Sequence, residues 1–151
     1  MLLVRHAVAV RRSAWASDDR HRPLDHRGRR QAEALVAELA GYPVARILSS
    51  PAERCLATVA PLAAARGLAV ETAAGLDEGA GPAALGLVRA AQTAEGGAVL
   101  CSHGDVIPEV LDRLGGPAWT AGARCQKGST WVLAAGPGGA LEAAAYLPPP
   151  A

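Results

Sequence analysis

The sequence predicts an α/β fold, a three-layer αβα sandwich around a mostly parallel sheet with at least one antiparallel strand. Three observations carry that expectation. Short apolar runs alternate with longer segments of helical periodicity, the order that builds parallel sheets covered on both faces. Two late runs, "STWVLAAG" and "ALEAAAYL", are parted by Pro-Gly-Gly and read as a hairpin, so the last strands are antiparallel. The chain has 151 residues, 50% of them hydrophobic, which suits one domain with a sizeable core; no internal repeat or interdomain linker interrupts it. Aromatics make up only 3%, with no Phe, so Leu, Val, Ile and Ala must fill that core.

Residues 1–5 read as a buried strand and residues 7–24 as a polar loop ending in "RPL". In "DHRGRRQAEALVAELAGY" the positions Ala32, Leu35, Val36 and Leu39 recur at helical spacing, and Gly41 and Pro43 end the helix. "VARILSS" is a second strand. "PAERCLATVAPLAAARG" is a second helix, with Pro51 in its first turn and Gly67 at its end; Pro61 inside it is expected to kink or split it. "LAVETA" is a third strand, followed by the loop "AGLDEGAGP". A helix over "AALGLVRAAQTA", a strand over "GGAVLCSHG" and a helix over "DVIPEVLDRLGG", capped by Asp105, lead to the hairpin. The final "PPPA", residues 148–151, is expected to be a frayed, disordered tail.

Charge narrows the function. The net charge is +1, from 15 basic and 14 acidic residues, which argues against a nucleic-acid polymer or a membrane surface as partner. Arg and His are nonetheless crowded into residues 11–30, which suits a small anionic substrate, although most of these Arg read as solvated. The three cysteines, Cys55, Cys101 and Cys125, make no disulfide framework and point to a reducing cytoplasm. The opening apolar run is too short for a signal peptide, and no stretch approaches the ~18–20 apolar residues of a membrane span.

Ligands of open α/β sheets bind beyond the carboxyl ends of the strands. There the sequence places Arg5 and His6 after the first strand, Arg54 in the first turn of the second helix, Asp77 and Glu78 after the third strand, and His103 after the fourth. Helix N-termini near residues 51 and 105 point at the same edge and favour an anion. Singly, each of these residues reads as ordinary surface. Together they compose a phosphoryl-transfer site. A neutral imidazole attacks phosphorus, and two guanidiniums hold phosphoryl oxygens in a fixed fork. A second His donates a hydrogen bond as charge develops, and a carboxylic acid protonates the leaving oxygen.

No metal or cofactor is called for; a cation shared by His6 and His103 would be repelled by the Arg beside them. The six-residue Cys-to-Arg spacing of cysteine phosphatases is missing, because Pro61, Ile107 and Trp131 stand at that distance. A glycine-rich phosphate loop ending in Lys-Ser/Thr and a GxSxG elbow are missing too.

Through "LLVRHA", "RPLDHRGRRQA", "ILSSPAERCLAT", "LDEG" and "CSHGD", in that order, the chain resembles the histidine phosphatase superfamily, also called phosphoglycerate mutase-like. The "RPL…G…QA" segment and the small size are most similar to SixA-type phosphohistidine phosphatases. "CSHGDVIPEVL" and "KGSTWVL" are closer still to the histidine-phosphatase half of actinobacterial two-domain Nudix hydrolases that act on damaged nucleotides; the Nudix half is not in this chain. The resemblance implies a histidine phosphatase domain over residues 1–147. It implies His6 as the nucleophile that becomes phosphohistidine, and Arg5, Arg54 and His103 as the phosphate pocket. Glu78 matches the proton donor, with Asp77 as the alternative.

Where the family usually has Gly after the nucleophile, this chain has Ala7. The mutase pattern has Ser three and Asn six residues after the nucleophile; Ala9 and Arg12 stand there, which argues against a mutase and leaves Arg12 as a second anion contact. Lys127 is read as solvated surface. A chain this short has little room for the insertions that shield a mutase's phosphoenzyme from water. The implied activity is a metal-independent phosphatase acting on phosphohistidine, a nucleotide phosphate or another small phosphate. Its partner is a small phosphorylated substrate or a phosphorylated protein. The alternatives are a phospho-ligand binding domain without turnover and a phosphoglycerate-type mutase.

Overall fold

The computed structural model describes residues 1–151. In chain order it contains β1 (Leu2–Arg5), α1 (His26–Glu38), β2 (Arg46–Ser49), α2 (Glu53–Arg66) and β3 (Val70–Thr72). There follow α3 (Gly81–Gln92), β4 (Ala98–Ser102), α4 (Val106–Leu114), β5 (Thr130–Ala135) and β6 (Leu141–Leu147). The strands form one six-stranded sheet in the order β3-β2-β4-β1-β5-β6. β3, β2, β4 and β1 run parallel, and β5 and β6 are antiparallel additions beside β1.

Side-chain alternation along the strands makes the three layers. Leu2, Val4, Ile47, Val99 and Cys101 pack with Leu35, Leu39, Val59 and Leu62 of α1 and α2 on one face. Leu3, Leu48 and Leu100 pack with Val88 of α3 and Ile107, Val110 and Leu111 of α4 on the other. Both faces are therefore covered, and all five residues of β4 are buried, as a near-continuous apolar run requires. No helix is long and apolar enough to cross a membrane.

β4 is inserted between β2 and β1, so the carboxyl ends of these three strands lie side by side, with Arg5 opposite Ser102 and Ser49 opposite Cys101. That order brings together the segments after each strand. On the β5 side, Trp131 stacks edge-on against Trp119 at 5.5 Å and lies 5.0 Å from Tyr146. Its Nε1 donates to the Arg124 carbonyl at 2.9 Å, which anchors the long segment between α4 and β5 over the same edge.

Three local expectations are corrected. α2 begins at Glu53, so Pro51 precedes the helix instead of standing in its first turn. Pro61 does not split α2: the helix continues to Arg66 because Val59, Leu62 and Ala63 are buried against α1 and the sheet, and that packing outweighs one missing backbone bond. Residues 7–24 are not a plain loop. They carry short 3₁₀ turns at Arg12–Ala14 and Asp19–His21, and the base is closed by Val10 N–H to Pro23 O at 2.9 Å and Asp25 N–H to Val8 O at 3.0 Å. α2 does end at Gly67, whose φ of 64° is the left-handed cap. Residues 148–151 follow β6 without regular secondary structure.

Candidate active site

The segment leaving β1 has every backbone N–H from Arg5 to Val8 committed. Arg5 N–H donates to Ser129 O and His6 N–H to Ser102 O, each at 3.0 Å. Ala7 N–H donates to Thr58 Oγ1 at 2.9 Å, and that hydroxyl donates in turn to Arg54 O at 2.7 Å. Val8 N–H donates to Gln31 Oε1 at 3.0 Å. Gly28 lets α1 approach this segment: a Cβ there would lie 1.9 Å from the Val8 carbonyl oxygen. Gln31, Thr58 and Gly28 went unassigned in the sequence, yet they hold the turn after β1. Thr58 lies four residues after Arg54 on α2, a spacing that puts both on one face.

His6 is buried, and its Nδ1 lies 2.8 Å from the Ala7 carbonyl oxygen, the place of a donated hydrogen bond. That bond assigns the proton to Nδ1 and leaves Nε2 as the bare nitrogen. Burial, opposed by the Ala7 bond and reinforced by His103, Arg54 and Arg5, lowers its pKa to about 3. The ring is therefore neutral at physiological pH. His103 packs edge-on against it, ring centres 5.4 Å apart.

Around these rings stand three donors. Arg54, 2% exposed, gives Nη1 to Asp19 O at 2.9 Å and Nη2 to Glu78 Oε1 at 2.9 Å. Arg5 gives Nη1 to the Cys125 carbonyl and lies over Gly104, where a Cβ would come within 2.5 Å of Cζ. His103, 1% exposed, has Nε2 2.9 Å from Ser50 Oγ, and Ser50 donates onward to Asp77 Oδ1 at 2.6 Å. Arg5 Nε, Arg54 Nε and His103 Nδ1 are buried without a protein hydrogen-bond partner. Buried donors of this kind are costly alone. An anion beside the two guanidinium nitrogens relieves both, while His103 Nδ1 lies 3.5 Å from Glu78 Oε1.

The two acids part company. Glu78 lines the cleft in front of His6, its side chain 47% exposed. Asp77 is outside that cleft, behind His103, held by Ser50 and by Arg20 at 3.3 Å. Arg12 reaches the cleft, with Nη2 3.6 Å from Glu78 and Nε 3.3 Å from Asp19. Asp105 occupies the N-cap position of α4 without bonding to the helix; its Oδ2 instead accepts the Gly79 N–H at 2.7 Å and pins the loop that carries Glu78.

The cleft measures about 960 Å³. One of its residues, Arg22, departs from the sequence expectation. Lys127 is exposed, as expected, and also borders the cleft. Partial burial, then the guanidiniums of Arg5, Arg22 and Arg54, hold its pKa below the usual lysine value, against a smaller pull from Asp25. Arg22, within the run expected to be solvated, is buried, with Nε on Asp19 at 2.8 Å and Nη1 on Val10 O at 2.7 Å. Asp19 thereby bridges Arg12, Arg22 and Arg54. Nothing in the local spacing marks Arg22 or Asp19, because their meeting depends on the folded 7–24 segment.

Comparison with known proteins gives the family and the fold. The family model described as "Histidine phosphatase superfamily (branch 1)" matches residues 1–88. An 8-oxo-(d)GTP phosphatase of Mycolicibacterium smegmatis is 39% identical over 158 aligned positions, covering 99% of this chain and 48% of the relative. The chain thus spans about half the length of that curated relative. The protein histidine phosphatase SixA complexed with tungstate superposes with a TM-score of 0.79 at 19% identity, over 97% of this chain and 94% of the other. A structure from Nakamurella multipartitia, provisionally described as phosphohistidine phosphatase SixA, superposes with a TM-score of 0.76 at 26% identity, over 99% and 96%. The match across β1, α1, β2 and α2, the very elements that hold Arg5, His6 and Arg54, places the chain in the histidine phosphatase superfamily, branch 1.

Proposed function

We propose that this domain, residues 1–147, is a metal-independent phosphatase working through a covalent phosphohistidine on His6. One observation carries the reading: a neutral His6 with Nε2 bare stands beside two buried guanidinium donors, Arg5 Nε and Arg54 Nε, that lack protein partners, with the His103 ring 5.4 Å away. His6 Nε2 gives its lone pair to phosphorus, and the P–O or P–N bond to the leaving group breaks with its electron pair on the leaving atom. Arg5, Arg54 and His103 hold the transferring oxygens as charge shifts onto them. Glu78 protonates the leaving atom, then takes a proton from the water that attacks the phosphohistidine. Asp77, tied to Ser50, orients His103 instead of acting as the donor. The Ala7 carbonyl keeps Nδ1 protonated and shares the positive charge that builds on the ring.

The wide, solvent-facing cleft favours hydrolysis over return of the phosphoryl group to a bound intermediate, and so a phosphatase over a mutase. Phosphomonoesters and phosphoramidates both fit this reaction. The relative called an 8-oxo-(d)GTP phosphatase supports a nucleotide phosphate. The three free cysteines fit a reducing cytoplasm.

The test is turnover of para-nitrophenyl phosphate in EDTA by the native chain and by His6→Ala. The native chain should turn over and form an acid-labile, alkali-stable phosphoenzyme. His6→Ala should lose both, with activity down by at least ~10³-fold. Substantial activity in the variant removes the nucleophile assignment. Tight phosphate binding without turnover in the native chain makes this a binding domain.

A further inference from the structure

The cleft holds more positive charge than one phosphoryl group needs. The unpartnered guanidinium nitrogens of Arg5, in the cleft wall, and of Arg54, tied to the cleft's Glu78 at 2.9 Å, already account for the group under attack. Farther out, the cations divide into two sets. Arg12 and Arg22 are paired with Asp19 and Glu78. Arg11, Arg27 and Lys127 line the same cleft and make no ion pair. The remaining carboxylates of the wall are engaged by backbone: Asp25 accepts the Gly28 N–H at 2.8 Å, and Asp105 the Gly79 N–H at 2.7 Å.

The three unpaired cations come from three segments whose backbones are fixed. The Lys127 carbonyl accepts from Gln31 Nε2 at 3.4 Å, and the next residue, Gly128, donates its N–H to the carbonyls of both Arg5 and His6. Lys127 is thus anchored directly beside the nucleophile's own backbone. Arg27 stands in the first turn of α1, held by the Asp25 cap and the tight Gly28–Val8 approach. Arg11 follows Val10, whose N–H closes the base of the 7–24 segment. Each adds an unpaired positive charge to the same cleft, which favours an anion among them.

The walls carry little for any other chemistry. Val8 and Ala9 are the only apolar side chains in the cleft, and no Tyr or Trp lines it. Its volume of about 960 Å³ lies at the upper end of the ~300–1,000 Å³ typical of small-molecule sites, so a ligand extends well past one phosphate.

Building on the phosphatase reading above, we propose that Arg11, Arg27 and Lys127 form a subsite for a second phosphate bridged to the one attacked, so that the preferred substrate is a phosphoanhydride, the end of a diphosphate group. His6 Nε2 bonds to the terminal phosphorus. The bond from that phosphorus to the bridging oxygen breaks, its electron pair leaving on the inner phosphate. Water then attacks the phosphohistidine, the P–N electrons return to Nε2, and orthophosphate and a proton depart. A phosphate leaves as a stable anion, so this substrate depends less on Glu78 for a proton than an alkyl monoester does.

The experiment compares kcat/KM for ADP, AMP, inorganic pyrophosphate, para-nitrophenyl phosphate and a phosphohistidine peptide, in EDTA, for native chain, Lys127→Ala, Arg27→Ala and Lys127→Arg. ADP or pyrophosphate should exceed AMP by about tenfold or more, in line with one or two charge-assisted contacts. The two Ala variants should lose about tenfold more on the diphosphate than on para-nitrophenyl phosphate, and Lys127→Arg should recover most of it. Preference for ADP over pyrophosphate identifies a nucleotide source for the diphosphate; the reverse identifies a bare phosphate chain. Equal rates on ADP and AMP, equal losses on both substrate classes, or a preference for the phosphohistidine peptide overturns the subsite. If the native chain fails on every substrate, the phosphatase reading itself falls, which is a separate result.

Discussion

The inner and outer walls of the cleft hold their cations in different ways. Arg54 and His103, behind the cleft lining, are almost wholly buried, and they are held by the Asp19 carbonyl, Ser50 and Glu78. Arg12, at the rim, has a side chain 68% exposed and meets its carboxylates at 3.3 and 3.6 Å. The inner wall is desolvated, so each charge there acts at short range and almost unscreened by salt. The outer wall is open to water and salt, so its charges attract and select but stabilise little. On the proposed function, reaction geometry belongs to the first wall and substrate choice to the second.

Arg54→Ala tests this division most severely. It removes the guanidinium that the proposed reaction sets against the phosphoryl group and leaves Asp19 and Glu78 sharing only the exposed Arg12. The expected loss in kcat/KM is ~10²–10³-fold, or about 3–4 kcal/mol of transition-state stabilisation. Arg54→Lys should recover only part, because an ammonium cannot reproduce the planar fork. A near-normal rate for Arg54→Ala on para-nitrophenyl phosphate breaks the comparison outright.

The next effect is on stability. The His6 pKa of about 3 lies below the ordinary value of 6.5. Between those values the unfolded chain takes up a proton that the folded chain refuses, so stability falls as pH drops from about 6.5 toward 3. Native chain minus His6→Asn, compared by urea unfolding at pH 7 and pH 4, should lose about 3 kcal/mol of its difference. A pH-independent difference means that the ring is not desolvated. The same shift keeps His6 neutral well into acid, so an acidic fall in kcat above pH 4 has to come from another group.

A smaller loss is expected where a single buried bond positions the nucleophile. Thr58→Val keeps the shape but removes the acceptor for Ala7 N–H and the donor to Arg54 O. The cost is ~1–3 kcal/mol in stability. Turnover should fall about tenfold with little change in KM, because a displaced turn hurts alignment more than binding. A variant with altered KM alone would make Thr58 part of the substrate surface.

How much of this was legible in the sequence also follows the two walls. Arg5, His6 and His103 stand where apolar strands end, and β-strand ends are visible as the last residue of an apolar run. Arg54 was visible from its place just after a strand and Pro51. Arg22 and Asp19 were not, since both sit in a polar stretch whose fold-back depends on bonds from Val8 and Val10 to residues 23–25. Asp105 shows the limit of capping rules: the residue type and position suit an N-cap, but the nearby Gly79 N–H takes the carboxylate instead. Pro61 shows the same limit for breakers, with buried Val59 and Leu62 carrying the helix across it.

Arg12 is the position where the comparison is finest, because it lies at the rim and touches an inner-wall acid. Its contacts to Asp19 and Glu78 are long and its side chain is mostly in water, so Arg12→Ala should change stability by less than ~0.5 kcal/mol. Its value lies in attraction. At low salt the variant's KM for para-nitrophenyl phosphate should rise about threefold, and the gap to the native chain should close as ionic strength increases, since screening removes from the native protein what the mutation removes from the variant. A drop in kcat that salt leaves untouched would instead mean that Arg12 sets the position of Glu78 during proton transfer. Arg12 would then belong to the inner wall, and burial alone would no longer separate the residues that perform the reaction from those that choose its substrate.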